Sequence, residues 1–211
     1  MEIPRGGSFT GIALLVDING FAVMVNHADT DLIAQFTSDV LVGGVGAVED
    51  VGGEVVAFMG DAFLAVLPDV EATVQACFRI AKDLDDQCEY ITNAQNKQPN
   101  FAPFAPGGPM LKITFESGWF DTARISSRFA GEQRLLVSSA INYASRIASA
   151  GAGNRCLFGP LAAPLVQQAG QTVTGPFTHT AKDGTYDYFE LDLWDSWASG
   201  TRLPGEDSYM G

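Results

Sequence analysis

Apolar and polar positions change their spacing several times along this chain, and each change predicts an element. Thr10 to Val16 is an unbroken apolar run with Gly and Ser before it and Asp17 after it, which predicts a buried strand. Asp17-Ile18-Asn19-Gly20-Phe21 reads as the turn that follows. From about Asp29 to Val48, apolar residues recur at spacings of three and four, predicting a helix that Gly52-Gly53 ends. Glu54 to Phe58 and Ala62 to Leu67 are short apolar runs joined by Met59-Gly60-Asp61, a β-hairpin with a Gly-Asp turn. Glu71 to Tyr90 predicts a second helix with Val74, Cys77, Phe78, Ile80, Ala81 and Leu84 on one stripe, so Cys77 is a core position.

The second half is less regular. Asn96 to Pro109 is rich in Pro and Gly and reads as a loop inside one domain. Leu111 to Ser117 predicts a strand, Phe120 to Arg134 a polar segment, and Ser139 to Ala150 a helix. Cys156 to Pro160, Gln171 to Phe177 and Tyr186 to Leu193 predict late strands. Strands alternating with helices, with hairpins mixed in, predict an α+β domain whose sheet carries helices on one face. That domain spans residues 1–195, leaving 196–211 as a mobile tail with weak periodicity.

Composition narrows the function classes. Twelve Lys and Arg stand against 25 Asp and Glu, a net charge of −13. A polymer of nucleic acid or an anionic membrane needs a basic face, so neither is the expected partner. Charged residues are 18% and hydrophobic residues 46%, which argues for a packed core over disorder. No apolar stretch precedes a cleavage site, and no window holds 18 uninterrupted apolar residues. Cys77, Cys88 and Cys156 are odd in number and match no zinc or disulfide spacing, so reduced thiols and a cytoplasmic location are expected.

Two acidic residues have unusual settings. Asp17 follows an apolar strand and Asp61 sits at a hairpin tip between Gly60 and Ala62. If those strands are neighbours, the carboxylates converge at one sheet edge, an arrangement that suits divalent ions bound to phosphate oxygens. Each residue alone is equally at home as an ordinary turn residue. Asp17-Ile18-Asn19-Gly20 is not a calcium loop, because Gly lies at the wrong offset and no Glu follows at the twelfth position. Phosphatases of the haloacid-dehalogenase type need Asp-x-Asp, and position 19 is Asn. Gly43-Gly44-Val45-Gly46 lacks the Gly-Lys of a P-loop.

Three blocks taken together carry a resemblance. Leu15 to Phe21, Gly52 to Val66 and Ile141 to Ile147 resemble, in order, the metal-aspartate strand, the GG…GDA hairpin and the N-x-A-x-R helix of the class III nucleotidyl cyclases. The resemblance spans roughly residues 10–190 and implies a ferredoxin-like βααββαβ fold with extra C-terminal strands. It implies that Asp17 and Asp61, with the Ile18 carbonyl, hold two Mn²⁺ or Mg²⁺ ions. One ion would lower the pKa of the ribose 3′-hydroxyl and the other would hold the triphosphate. Backbone N–H groups around Asn19, Gly20, Phe21 and Ala22 would bind the β- and γ-phosphates. Asn142 and Arg146, four apart and hence on one helix face, would orient the ribose and stabilise charge on the α-phosphoryl group. Lys182, or one of Arg124, Arg128 and Arg134, would contact the terminal phosphates. The family shares each site across a homodimer, which implies two interfacial active sites here.

The departures point to the base. Purine cyclases of this family read it with a polar residue four positions before the second aspartate and another seven before the asparagine. Here those positions are Ala57 and Leu135, both apolar. Losing both contacts removes ordinary adenine or guanine recognition. With the four catalytic positions intact, this pattern resembles the bacterial pyrimidine cyclases of the Pycsar antiphage system. That resemblance implies conversion of UTP to cyclic UMP, which a separate effector protein then reads. Cytidylate cyclase, atypical adenylate cyclase and a non-catalytic nucleotide-binding dimer remain the alternatives.

Overall fold

The computed structural model describes residues 2–19, 21–22, 25, 30–97, 110–128, 131–150 and 155–193. Gly20, the Pro/Gly-rich stretch beyond Lys97, Gly153-Asn154 and the 196–211 tail lie outside them. The elements are β1 Gly7–Asn19, α1 Thr30–Asp50, β2 Glu54–Phe58, β3 Ala62–Leu67, α2 Val70–Lys97, β4 Met110–Ser127 and β5 Gly131–Val137. They continue with α3 Ser139–Ile147, β6 Arg155–Phe158, α4 Ala163–Gln168, β7 Thr174–Ala181 and β8 Gly184–Asp192. One mixed sheet runs in the order β2-β3-β1-β4-β6-β8-β7, with β5 paired to β4. Among the described strands β4 and β6 pair in parallel and the other pairs are antiparallel.

Alternation along β1 builds two cores. Ile12, Leu14, Val16 and Ile18 join Phe36 and Val40 of α1 and Val74, Cys77 and Ile80 of α2. Ala13, on the opposite face, packs with Val66, Phe120 and Ala140 of α3. The α+β class therefore stands, but the expectation of helices on one face does not extend to α3. A Cβ on Gly118 would lie 3.0 Å from the Ala140 Cβ, so α3 rests almost directly on β4. Ser138 caps α3: its Oγ accepts from the Ala140 N–H at 3.1 Å and donates to the Trp119 carbonyl at 2.6 Å.

Three segments differ from the sequence reading. β1 runs on to Asn19, so Asp17 lies within the strand and not after it, because β4 pairs with every residue from Gly7 to Asn19. Phe120 to Arg134 is no polar connection: β4 continues to Ser127 and returns as β5, matching Ala123 with Leu135 and Asp121 with Val137. Its polar residues alternate with apolar ones because both faces of this arm reach solvent. α4 carries no periodic signal, since it is six residues long with a proline at its start.

α1 is long and apolar enough to cross a membrane by composition alone. In this fold Ile33, Phe36, Val40, Gly44, Ala47 and Val48 form its buried side. Each large apolar side chain buried this way contributes about 1.5–3 kcal/mol, which the packing against α2 and β3 realises.

Glu116 on β4 is buried, with 2% of its surface exposed. Its carboxylate accepts from the N–H groups of Ser117 at 2.7 Å, Ala162 at 2.8 Å and Leu161 at 3.4 Å, tying β4 to the segment that opens α4. Burial pushes this carboxyl above its ordinary value of 4.5, and the three N–H groups only partly offset that. A carboxyl raised in the folded state stabilises it at low pH, and that contribution is lost as pH rises through the folded pKa. Glu116→Gln removes this slope. Urea denaturation between pH 4 and 8 should show wild-type stability falling relative to the variant's as pH increases; a relative rise contradicts it.

Candidate active site

Two neighbouring strands bring the predicted carboxylates together. Asp17 is in register with Ala62 on β3 and with Lys112 on β4. The β2–β3 turn closes through the Met59 N–H on the Ala62 carbonyl at 2.8 Å, with Gly60 at φ +72°, a conformation that favours glycine. The Ile18 N–H donates to the Asp61 carbonyl at 3.3 Å, fixing the hairpin tip to the residue after Asp17. The Asp17 and Asp61 carboxyl groups come within hydrogen-bonding reach of each other.

Burial pushes the Asp17 carboxyl above its ordinary value of 3.8, and the Asp61 charge pushes it further, while Lys112 pulls it back. Two acids facing each other on rigid strands, partly withdrawn from water, form an anionic cradle that a cation would relieve. An all-oxygen donor set suits Mg²⁺ or Mn²⁺. The Ile18 carbonyl extends it: within an antiparallel ladder the N–H and C=O of one residue face the same neighbour, here the Asp61 side. Among the described residues no third His, Cys or acidic side chain joins the pair.

Asn142 and Arg146 share one face of α3; Asn142 is exposed and Arg146 half-exposed. The Arg146 Nε donates to Asp183 Oδ2 at 2.9 Å. Asp183 lies in the β7–β8 turn beside Lys182, which is exposed. This group does not meet the carboxylates within one chain. Between β1 and β8 lie β4 and β6, three strand spacings or about 14 Å. The seat of α3 at Gly118, opposite Gly11, is six residues along β1 from Asp17, about 20 Å. One chain keeps the two groups apart.

The remaining candidates divide. Asn19 ends β1 and Phe21 and Ala22 are helical, while Gly20 between them lies outside the described residues. The Phe21 side chain packs against the larger core. Ala57 sits at a register shift in β2, opposite Leu64. Leu135 is half-exposed on β5, on the face away from Leu136, which packs with Val56 against the smaller core. The structure does not bring Ala57 and Leu135 together in one chain. Arg134 departs from its expected role: it pairs with Glu54 and donates to the Ile3 carbonyl at 3.2 Å, clamping the N-terminal segment to β2. Arg124 Nε likewise reaches the Arg5 carbonyl at 3.4 Å, and Arg128 has interactions of its own. Lys112 and Asp183 were missed as site residues. Lys112 is found only through register, and Asp183 gave no signal beyond an ordinary Lys-Asp-Gly turn.

No protein-family model matches this sequence, and no curated protein matches it. Solved structures do. The guanylyl cyclase Cya2 is 16% identical with a TM-score of 0.71, over 89% of this chain and 94% of that one. A bacterial light-regulated adenylyl cyclase is 15% identical, also with a TM-score of 0.71, over 89% and 92%. The guanylate cyclase domain of RhGC from Catenaria anguillulae, solved in complex with GTP, is 14% identical with a TM-score of 0.63, over 88% and 97%. The fold is that of the class III cyclase catalytic domain. The similar structures include both adenylyl and guanylyl cyclases, so the fold alone is shared across different bases.

Proposed function

We propose that this chain is a nucleotidyl cyclase that converts UTP to 3′,5′-cyclic UMP and pyrophosphate. The meeting of the Asp17 and Asp61 carboxyl groups carries this reading. Divalent ions bound there, Mn²⁺ or Mg²⁺, would supply charge neutralisation of the triphosphate and acidification of the 3′-hydroxyl. Asp17, Asp61 and the Ile18 carbonyl would hold those ions. The backbone N–H groups of Asn19 to Ala22 bind the β- and γ-phosphates. Asn142 orients the ribose, Arg146 stabilises charge on the α-phosphoryl group, and Lys182 meets the terminal phosphates.

A homodimer completes each site, because the two half-sites of one chain stand apart. The β4–β5 arm supports this: Trp119, Ile125, Leu135 and Val137 expose 68, 50, 42 and 55% of their surface. Alternate positions on β4, matched with β5, share one face, so these side chains, with Asp121 and Gln133 among them, form a largely apolar surface that a partner copy would cover. Sedimentation equilibrium should give twice the monomer mass, 2 × 22.4 kDa.

Ala57 and Leu135 support a pyrimidine, since neither can hydrogen-bond a purine edge. CTP is the second pyrimidine the same pocket admits. The proposed setting is the cytoplasm, where cyclic UMP would serve as an antiphage second messenger read by a separate effector. Incubating the pure protein with each of the four NTPs and Mn²⁺ tests the reaction. Cyclic UMP should dominate. Dominant cyclic AMP makes the protein an atypical adenylate cyclase, and nucleotide binding without any cyclic product makes it a binding module.

A further inference from the structure

The β7–β8 hairpin touches α3 repeatedly. The Tyr143 hydroxyl donates to the Asp187 carbonyl at 2.8 Å, and the Tyr143 and Tyr186 rings meet edge to face at 5.2 Å. Just past the end of α3, Ser149 Oγ lies 2.9 Å from His179 Nε2. Between these contacts the Arg146 Nε donates to Asp183 Oδ2 at 2.9 Å. A single hairpin thus holds the helix along its C-terminal half, and the hairpin turn itself reaches the arginine.

The geometry of that last contact is selective. Asp183 takes the Nε–H, the inner donor of the guanidinium, and leaves the two terminal nitrogens outside the bond. Arg146 and Asp183 side chains are 41% and 42% exposed, so the pair adds little to stability. Its consequence is orientational. A guanidinium held at Nε cannot swing freely about its last bonds, and it presents its outer edge in one direction. That edge is the one that matches two oxygens of a phosphate at once.

We infer that Asp183 is a positioning residue, holding Arg146 by Nε so that the terminal nitrogens face a phosphoryl group of the bound nucleotide. The inference rests on the cyclase reading above for the identity of the ligand. It opposes a second possibility with the same contact, in which Asp183 occupies Arg146 and competes with substrate. The two differ in sign. Removal of a positioning carboxylate lowers kcat and leaves KM nearly unchanged; removal of a competing one lowers KM or raises turnover.

Steady-state kinetics on the full chain with Mn²⁺ and UTP decides between them. Asp183→Ala should lower kcat about 10-fold with KM within about 3-fold, as a misdirected catalytic group does. Asp183→Asn keeps an acceptor for the Nε–H and should recover most of that loss. Arg146→Ala should lower kcat further, and the Asp183→Ala/Arg146→Ala double variant should be no worse than Arg146→Ala alone. Independent losses in this cycle, or a gain of activity in Asp183→Ala, overturn the inference. Should the wild type cyclise no NTP, the cyclase reading fails on its own. The same cycle read as binding of tripolyphosphate with Mn²⁺ by calorimetry then decides: coupled losses sustain the positioning role, and additive losses or none overturn it. In ¹⁵N NMR the Arg146 Nε–H should exchange slowly in wild type and Asp183→Asn and rapidly in Asp183→Ala. Equal exchange in all three also overturns it.

Discussion

Asp17→Asn should lower nucleotide turnover by roughly 10³-fold or more, equivalent to about 4 kcal/mol of barrier, while raising the melting temperature of the metal-free protein. Under the proposed function, Asn at this position removes a carboxylate that would hold a divalent ion, and with it charge stabilisation that the rest of the site does not replace. The gain in stability follows from the physical cause of the raised Asp17 pKa: burial first, then the Asp61 charge. Above the ordinary value of 3.8, the unfolded chain ionises Asp17 more readily than the folded one does, so stability from this group falls as pH rises through the folded pKa. A neutral amide removes that loss. Because the site is partly exposed and Lys112 compensates some of the charge, the gain is at most about 1 kcal/mol, a rise of about 2–4 °C. Adding Mn²⁺ should reverse the order, stabilising the wild type and leaving Asp17→Asn unchanged. Scanning calorimetry with and without Mn²⁺, alongside turnover, checks both halves. A variant that loses activity by unfolding would show the opposite shift in melting temperature.

Gly159→Ala should cost about 3 kcal/mol of stability, roughly 6–12 °C. A Cβ there would overlap Glu116 Oε2 and stand 2.7 Å from Glu116 Cδ and 2.8 Å from Tyr143 Cε1. Neither neighbour can yield cheaply. If Glu116 moves, the N–H groups of Ser117, Leu161 and Ala162 lose their acceptor. If Tyr143 moves, it carries α3 with it and breaks its bond to the Asp187 carbonyl. Turnover should therefore fall together with stability, because Asn142 and Arg146 flank Tyr143 on that helix. Urea denaturation also tests the cause. In a Glu116→Ala background the overlap with Glu116 is gone and only the contact with Tyr143 remains, so Gly159→Ala should cost clearly less there than in the wild type. An equal cost in both backgrounds would show that the clash is not with Glu116.

Elements whose pattern comes from their own side chains were legible in the sequence. The β2–β3 hairpin announces itself by two apolar runs and a Gly-Asp turn, and it forms with those bounds. α1 and α2 follow their apolar stripes, and Cys77 is fully buried as the stripe requires. The α3 segment was legible too: a helix expected over Ser139 to Ala150 forms as Ser139–Ile147. Elements that depend on a distant partner were not legible. Asp17 and Asn19 look like turn residues, yet β4 pairs with them and draws them into the strand. The β4–β5 arm lacks a buried face of its own, so its alternation is faint and it reads as a polar link.

The candidate site divides along the same line. By itself the sequence determined the candidate groups and their local placement: a carboxylate beside an apolar strand, another at a hairpin tip, and an Asn and Arg four apart on one helix face. These follow from covalent spacing and from the periods of strand and helix, which are properties of a few consecutive residues. Only the tertiary structure decided that the two carboxyl groups meet and that Lys112 faces them. It also decided that Arg134 binds Glu54 and that Asp183 holds Arg146. Each of those pairs joins residues more than 35 positions apart. Their encounter depends on strand order and register across the sheet, which the burial of both faces sets collectively and no local window records.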